Sequence, residues 1–167
     1  YGSLEELRED LILRLRAYRR NQARGTITDF ESESFDPTGS FARIGGGSIG
    51  GKARGMGFLN MLLNADEMEY RYPGVRVFVP CAVVIGTDVF DRFLDMNELR
   101  TFALECPDDA LITNMFVEAE KFPPEITARI GQFLEIITDP IAVRSSSLLE
   151  DSQYQPFAGV YETYMLP

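Results

Sequence analysis

Apolar residues recur at helical spacing from the start of the chain. Leu4, Leu7, Leu11, Leu15 and Tyr18 follow the capping-box order Ser3-Leu4-Glu5-Glu6, with Ser3 as N-cap and Gly25 placed to end the helix. Arginines 8, 14, 16, 19 and 20 lie on its other faces, interspersed with Glu5, Glu6, Glu9 and Asp10, which reads as a solvated face. Residues 26–41 are polar, acidic and turn-rich, the best linker candidate. Met56, Leu59, Leu62 and Leu63 predict a short amphipathic helix. The β-branched run Val75–Gly86 predicts one or two buried strands interrupted at Pro80. Asp88 is placed to cap a helix carrying Val89, Phe90, Phe93 and Leu94, and residues 97–119 read as mostly helical with a break at Pro107. Pro123-Pro124 opens a further helix that turns Ile126, Ile130, Phe133, Leu134 and Ile137 inward.

Short strands at Ile141–Val143 and within the terminal "GVYETYMLP" complete an alternation of helices and strands, so the expected class is α/β, layered. The expected architecture makes Val75–Ile85 and Ile141–Val143 neighbouring strands of one sheet, with the 124–137 helix packed against it.

Length and charge narrow the picture. A chain of 167 residues supports one domain with a proper core, and its apolar and charged fractions are globular averages. The net charge of −10 argues against a general nucleic-acid binder. No apolar run approaches the ~18 residues of a membrane helix. The chain opens on Tyr1 with no signal peptide visible, which reads as a piece of a longer protein. Cys81 and Cys106 stand apart, are expected to be buried thiols, and fit a reduced, cytoplasmic protein. Histidine is absent, which excludes in this chain a Ser-His-Asp triad, a histidine metal ligand and a phosphohistidine carrier. Chemistry must run on Lys, Arg, carboxylates, hydroxyls and backbone amides.

Two stretches carry candidate chemistry. Gly46–Lys52 has the G-x-x-x-x-G-K frame of a phosphate loop, but Ala53 stands where a magnesium-binding Ser or Thr belongs. The preceding "FARI" reads as a poor strand for the centre of a parallel sheet. Both points count against a Walker loop. The glycines still let backbone approach a ligand, and Lys52 lies where a helix begins. The second stretch, Ile141–Tyr164, sets Arg144 at a strand end before Ser145–Ser147, the Glu150-Asp151 pair and Gly159. Taken alone, it also reads as a polar hairpin loop whose arginine pairs with Glu150 or Asp151.

Together the stretches resemble a family. "AVRSSSLLEDSQYQPFAGVYET" is similar to the V-R-S-S-x-x-x-E-D…F-A-G-x-x-E-T signature of phosphoenolpyruvate synthase and pyruvate phosphate dikinase. "GGKARGMGFL" resembles that family's G-G-K-G-x-N-L stretch, "VPCAVVIGTDVFDRFL" its V-P-x-G-F-x-I-T pattern, and "KFPPEITARI" its F-P-P-E-I helix. The landmarks cover residues 44–167, leaving 1–43 as an N-terminal helix and acidic linker. The resemblance implies the first lobe of an ATP-grasp-type ATP-binding domain. It assigns Lys52 to the ATP phosphates, makes Arg144 the catalytic phosphate-holding arginine, and puts Gly159 and Thr163 at further nucleotide contacts. Lys52 and Arg144 are expected to converge on one open cleft.

The same resemblance implies ATP and magnesium as cofactors, with the metal ligands on a second lobe and none in this chain. It implies as partners that second lobe, a swivelling phosphohistidine domain and pyruvate, with no nucleic acid and no membrane; the piece alone is expected to be inactive. Ala53-Arg54 and Val160-Tyr161 depart from the family's pattern, which leaves the phosphoryl acceptor open to a drug or a glucan. A non-catalytic nucleotide sensor and an adaptor built on the Arg-rich helix are the readings from other classes.

Overall fold

A computed structural model of the chain describes residues 3–23, 27–65, 68, 71–145 and 161–167, with side chains left aside at 16–23, 64 and 65. The element order is α1 (Leu4–Ala23), β1 (Thr28–Asp29), β2 (Phe41–Ile44), α2 (Gly50–Ala65), β3 (Ala82–Ile85), α3 (Thr87–Met96), α4 (Leu99–Glu105), α5 (Asp109–Val117), α6 (Pro124–Ile136), β4 (Ile141–Arg144) and β5 (Thr163–Leu166). The class is α/β, as the alternation of patterns predicts.

The strands form two sheets, not the single sheet expected. β1, β2 and β3 make a parallel three-stranded sheet in that order, and β4 pairs antiparallel with β5. The reason lies in partners the hydropathy pattern undervalues. "FARI" is the parallel partner of "AVVI", running Phe41↔Ala82 to Ile44↔Ile85, while "TYML" takes up the ladder bonds of "IAVR". β2 is four residues long, so only 82–85 of the predicted 75–85 run is paired as a strand, beyond the donorless Pro80.

β2 is therefore the central strand, contrary to its reading as a poor one. Phe41, Ala42 and Ile44 are buried, and Arg43 is tolerated because its Nε donates to Asp29 Oδ1 on β1 at 2.7 Å. That contact holds the Asp29 carboxyl below its ordinary range and the Arg43 guanidinium above its own.

The acidic 26–41 stretch also contributes more than a linker. Phe30 is fully buried and meets Phe35 and Phe133 edge-on or tilted, with ring centroids 5.2–6.1 Å apart. The Asp36 carboxylate accepts from the Thr38 backbone N–H at 3.0 Å and its hydroxyl at 2.7 Å, turning the chain into β2. The core joins Phe30, Ala42, Ile44, Val89 and Ile126, with Ile130, Phe133 and Ile136 of α6 packed beside them. So α6 does cover the sheet that contains β3, through Ile126, Ile130 and Phe133, while Leu134, expected inward, is exposed. An ion pair between Arg92 and Glu125 at 2.5 Å joins α3 to the first turn of α6.

α2 reverses the face expected of it. Its buried positions are Gly50, Ala53, Gly57 and Asn60, whereas Leu59 and Leu62 are exposed. Small residues bring this helix close: a Cβ on Gly57 would stand 2.8 Å from Ile27 Cδ1. In α1, Ser3 does cap, accepting from Glu6 N–H at 3.2 Å, and Arg14 pairs with Asp10 at 2.7 Å. Its Leu4, Leu11 and Leu15 stay exposed in this chain, and Gly25 lies outside the described residues. The break at Pro107 separates α4 from α5, where Asp108 caps by accepting from the amides of Ala110 and Leu111. Cys81 and Cys106 are half-buried rather than buried. No described helix is long and apolar enough to cross a membrane.

Candidate functional site

Strand β2 ends at Ile44 and the chain turns through Gly45–Ile49 into α2. This is the strand–loop–helix context that a phosphate loop requires, so the objection raised by "FARI" falls away. The objection raised by Ala53 stands: its side chain is buried against the core and supplies no oxygen.

The loop is shaped by backbone conformation and by the turn that enters α3. Gly45, Gly47 and Gly50 have φ of 82°, 76° and 78°. At Gly47 the positive φ coincides with a close neighbour, since a Cβ there would lie 2.5 Å from Thr87 Oγ1. At Gly86 a Cβ would run into the Gly46 carbonyl. Gly86 N–H donates to Ile44 O and Thr87 N–H to Ser48 O, both at 2.9 Å. Ser48 N–H in turn donates to Thr87 Oγ1 at 2.9 Å, and Ser48 Oγ accepts from Gly50 N–H at 3.3 Å.

Asp88 does not cap α3, as its position suggests. Gly86 is the N-cap and makes no side-chain cap bond. The Asp88 carboxylate instead packs on the glycine loop, 2.7 Å from where a Gly45 Cβ would stand, and its Oδ1 is buried without a hydrogen-bond partner.

Lys52 sits half-buried in the first turn of α2, where backbone amides have no intrahelical acceptor and the helix dipole is positive. Arg54 reinforces that charge, its Nε donating to Gly50 O at 3.3 Å. Glycine backbone, a helix N-terminus and two cations make a donor set that fits a polyphosphate.

Arg144 closes β4 and Thr163 opens β5; the two are register partners and both are exposed. Beside them, Tyr164 donates its hydroxyl to Glu162 Oε2 at 2.7 Å, which raises the phenol above its ordinary range. The structure thus brings Arg144 and Thr163 together on the two-stranded sheet, while Lys52 lies on the helix that follows β2 of the three-stranded one. Gly159, Glu150 and Asp151 lie outside the described residues. Ser48 and Thr87 escape the sequence reading. The only signal for them is a hydroxyl residue directly after a glycine in each of two turns. Among the described residues no cluster of three or more His, Cys, Asp or Glu is placed to hold a metal ion.

Residues 47–166 match the family of the pyruvate phosphate dikinase AMP/ATP-binding domain. The chain belongs to that family. The match takes in the glycine loop from Gly47 onward, Lys52, the Thr87 turn, Arg144 and Thr163. Among curated proteins, the "Uncharacterized phosphotransferase YvkC" of Bacillus subtilis (strain 168) is 33% identical over 87 residues, covering 52% of this chain and 10% of that protein. The match to this relative thus spans a tenth of its length. No solved structure matches the chain. Membership makes the loop from Gly47 and the Lys52 helix part of an AMP/ATP-binding domain.

Proposed function

We propose that this chain is the first lobe of an ATP-grasp-type site in a phosphoenolpyruvate synthase/pyruvate phosphate dikinase-like phosphotransferase. In that reading Lys52 and Arg144 hold the phosphates of one ATP, with Gly159 and Thr163 as further contacts. An ammonium and a guanidinium on one polyphosphate neutralise charge that moves during P–O cleavage. Bound magnesium would supply further neutralisation of the phosphates, with its carboxylate ligands on a second lobe. ATP would phosphorylate a histidine on a swivelling domain elsewhere in the protein, for transfer to pyruvate. A cytoplasmic location goes with that metabolism.

The observation that carries this reading is the family match over 47–166, which begins within a glycine loop that leads from a central parallel strand into a Lys52-bearing helix. The test is transfer of labelled phosphate from ATP to histidine, read as acid-labile, base-stable label, in protein that includes the second lobe and the swivelling domain. Lys52→Ala should remove the label. Tight ATP binding with no histidine label would overturn the transfer reading and leave a nucleotide sensor.

A further inference from the structure

The glycine loop owes its position to residues that carry no charge. Ser48 and Thr87, 39 residues apart, exchange two bonds: Thr87 N–H donates to Ser48 O and Ser48 N–H donates to Thr87 Oγ1, each at 2.9 Å. The Ser48 hydroxyl then takes Gly50 N–H at 3.3 Å, at the point where α2 begins. The bonds form a relay from the start of α3, through the loop, to the start of the helix that bears Lys52.

Geometry leaves this relay little slack. Gly47 approaches the Thr87 hydroxyl too closely to accept a side chain, and Gly86 does the same to the Gly46 carbonyl. The Thr87 side chain is itself exposed, so its hydroxyl is not needed to fill the core. Its neighbour Ser48 has no other acceptor for its N–H among the described residues. A glycine-rich segment loses more backbone freedom on ordering than any other, so an external tether has the greatest leverage there.

We propose that Thr87 is a positioning residue for the phosphate end of the nucleotide. Through its bond to Ser48 it fixes the glycine loop in the shape that presents the first turn of α2 to the phosphates. The inference rests on the nucleotide reading above. With the tether cut, the loop must be ordered at the moment of binding, and affinity falls by that amount.

The test is an ATP titration, by calorimetry, of protein that includes the second lobe, alongside amide exchange at Ser48. Thr87→Val keeps the shape and removes the acceptor; Thr87→Ser keeps the acceptor. Thr87→Val should speed exchange at the Ser48 amide and raise the Kd about 5–10-fold, the effect of one neutral hydrogen bond. Thr87→Ser should stay within about twofold of the parent chain, a rescue that loss of packing alone would not give. If Thr87→Val loses its dispersed spectrum, Ser48→Ala cuts the next bond of the relay and should weaken ATP in the same way. Parent-like affinity in Thr87→Val, or in its substitute Ser48→Ala, overturns the proposal while the nucleotide reading stands. An equal loss in Thr87→Ser also overturns it. No ATP binding by the unaltered two-lobe protein overturns the nucleotide reading and this inference with it.

Discussion

Arg144 faces Thr163 as a register pair at the end of the β4–β5 ladder, one residue closing its strand and the other opening its own. The ladder thus joins the two ends of the stretch that carries the Arg144 signature, and leaves both side chains exposed at its edge. A guanidinium beside a hydroxyl at a strand end is a donor pair suited to phosphate oxygens. Under the proposed function, Arg144→Ala in protein that includes the second lobe and the swivelling domain should abolish histidine phosphorylation from ATP. Phosphorylation from phosphoenolpyruvate, which in that reading needs no contact with this lobe, should persist. Normal autophosphorylation by that variant would remove Arg144 from the site.

The isolated chain should bind ATP weakly. One lobe supplies part of the contacts, and each missing charge-assisted hydrogen bond forfeits about 1.5–3 kcal/mol. Calorimetry on the chain should give a Kd no tighter than about millimolar, worth ~4 kcal/mol. Micromolar binding would mean that a second lobe is unnecessary.

Family membership was more legible in the sequence than architecture. The Gly46–Lys52 frame, Arg144 and the E-T pair at Glu162-Thr163 are local patterns, and local patterns survive without knowledge of the fold. Sheet pairing is not local. Phe41–Ile44 contains an arginine and an alanine, so hydropathy ranks it low, yet flanking strands on both sides and the Asp29 carboxylate make it the central strand. Phe30 was hidden by acidic neighbours although it is fully buried. α2 misled in the opposite sense, since its large apolar residues face out and its small ones pack in. Ser48 and Thr87 act only through a contact across 39 residues, which no spacing rule reports.

Close approach of the two turns makes Gly86 a sensitive position. Gly86→Ala drives a methyl into the Gly46 carbonyl, so the backbone of one turn must move. Overpacking of this kind costs about 1–3 kcal/mol. Thermal or urea unfolding should show that loss, whereas Gly39→Ala, where the added methyl meets nothing within 4 Å, should change stability far less.

The Asp29–Arg43 pair sets a pH dependence with a definite sign. Its hydrogen bond and charge lower the Asp29 pKa in the folded chain relative to the unfolded one. The stabilisation it gives is therefore complete above the ordinary aspartate pKa and is lost as pH falls through the depressed value. Carboxyl-carbon NMR should find Asp29 titrating below the ordinary range, and Arg43→Leu should return it there. An unshifted Asp29 in the parent chain would show that the pair does not persist in solution.

Glu98 is the only described non-glycine residue with positive φ, at 57°, where it enters α4. Left-handed backbone at such a residue costs about 1–2 kcal/mol, partly offset in a glycine variant by its greater unfolded-state freedom. Glu98→Gly should leave the unfolding midpoint unchanged or slightly higher, and Glu98→Val should lower it.

The central claim is that Lys52 and Arg144 hold the phosphates of one nucleotide. Its most direct measurement is an ATP titration of the labelled chain that follows the amides of Gly51–Lys52 and Arg144–Ser145 separately. One bound nucleotide predicts shifts at both places along a single saturation curve, with Lys52→Ala weakening the response at Arg144 and Arg144→Ala weakening that at Lys52. Shifts confined to one of the two places, or two curves with different midpoints that ignore each other's substitution, would contradict it.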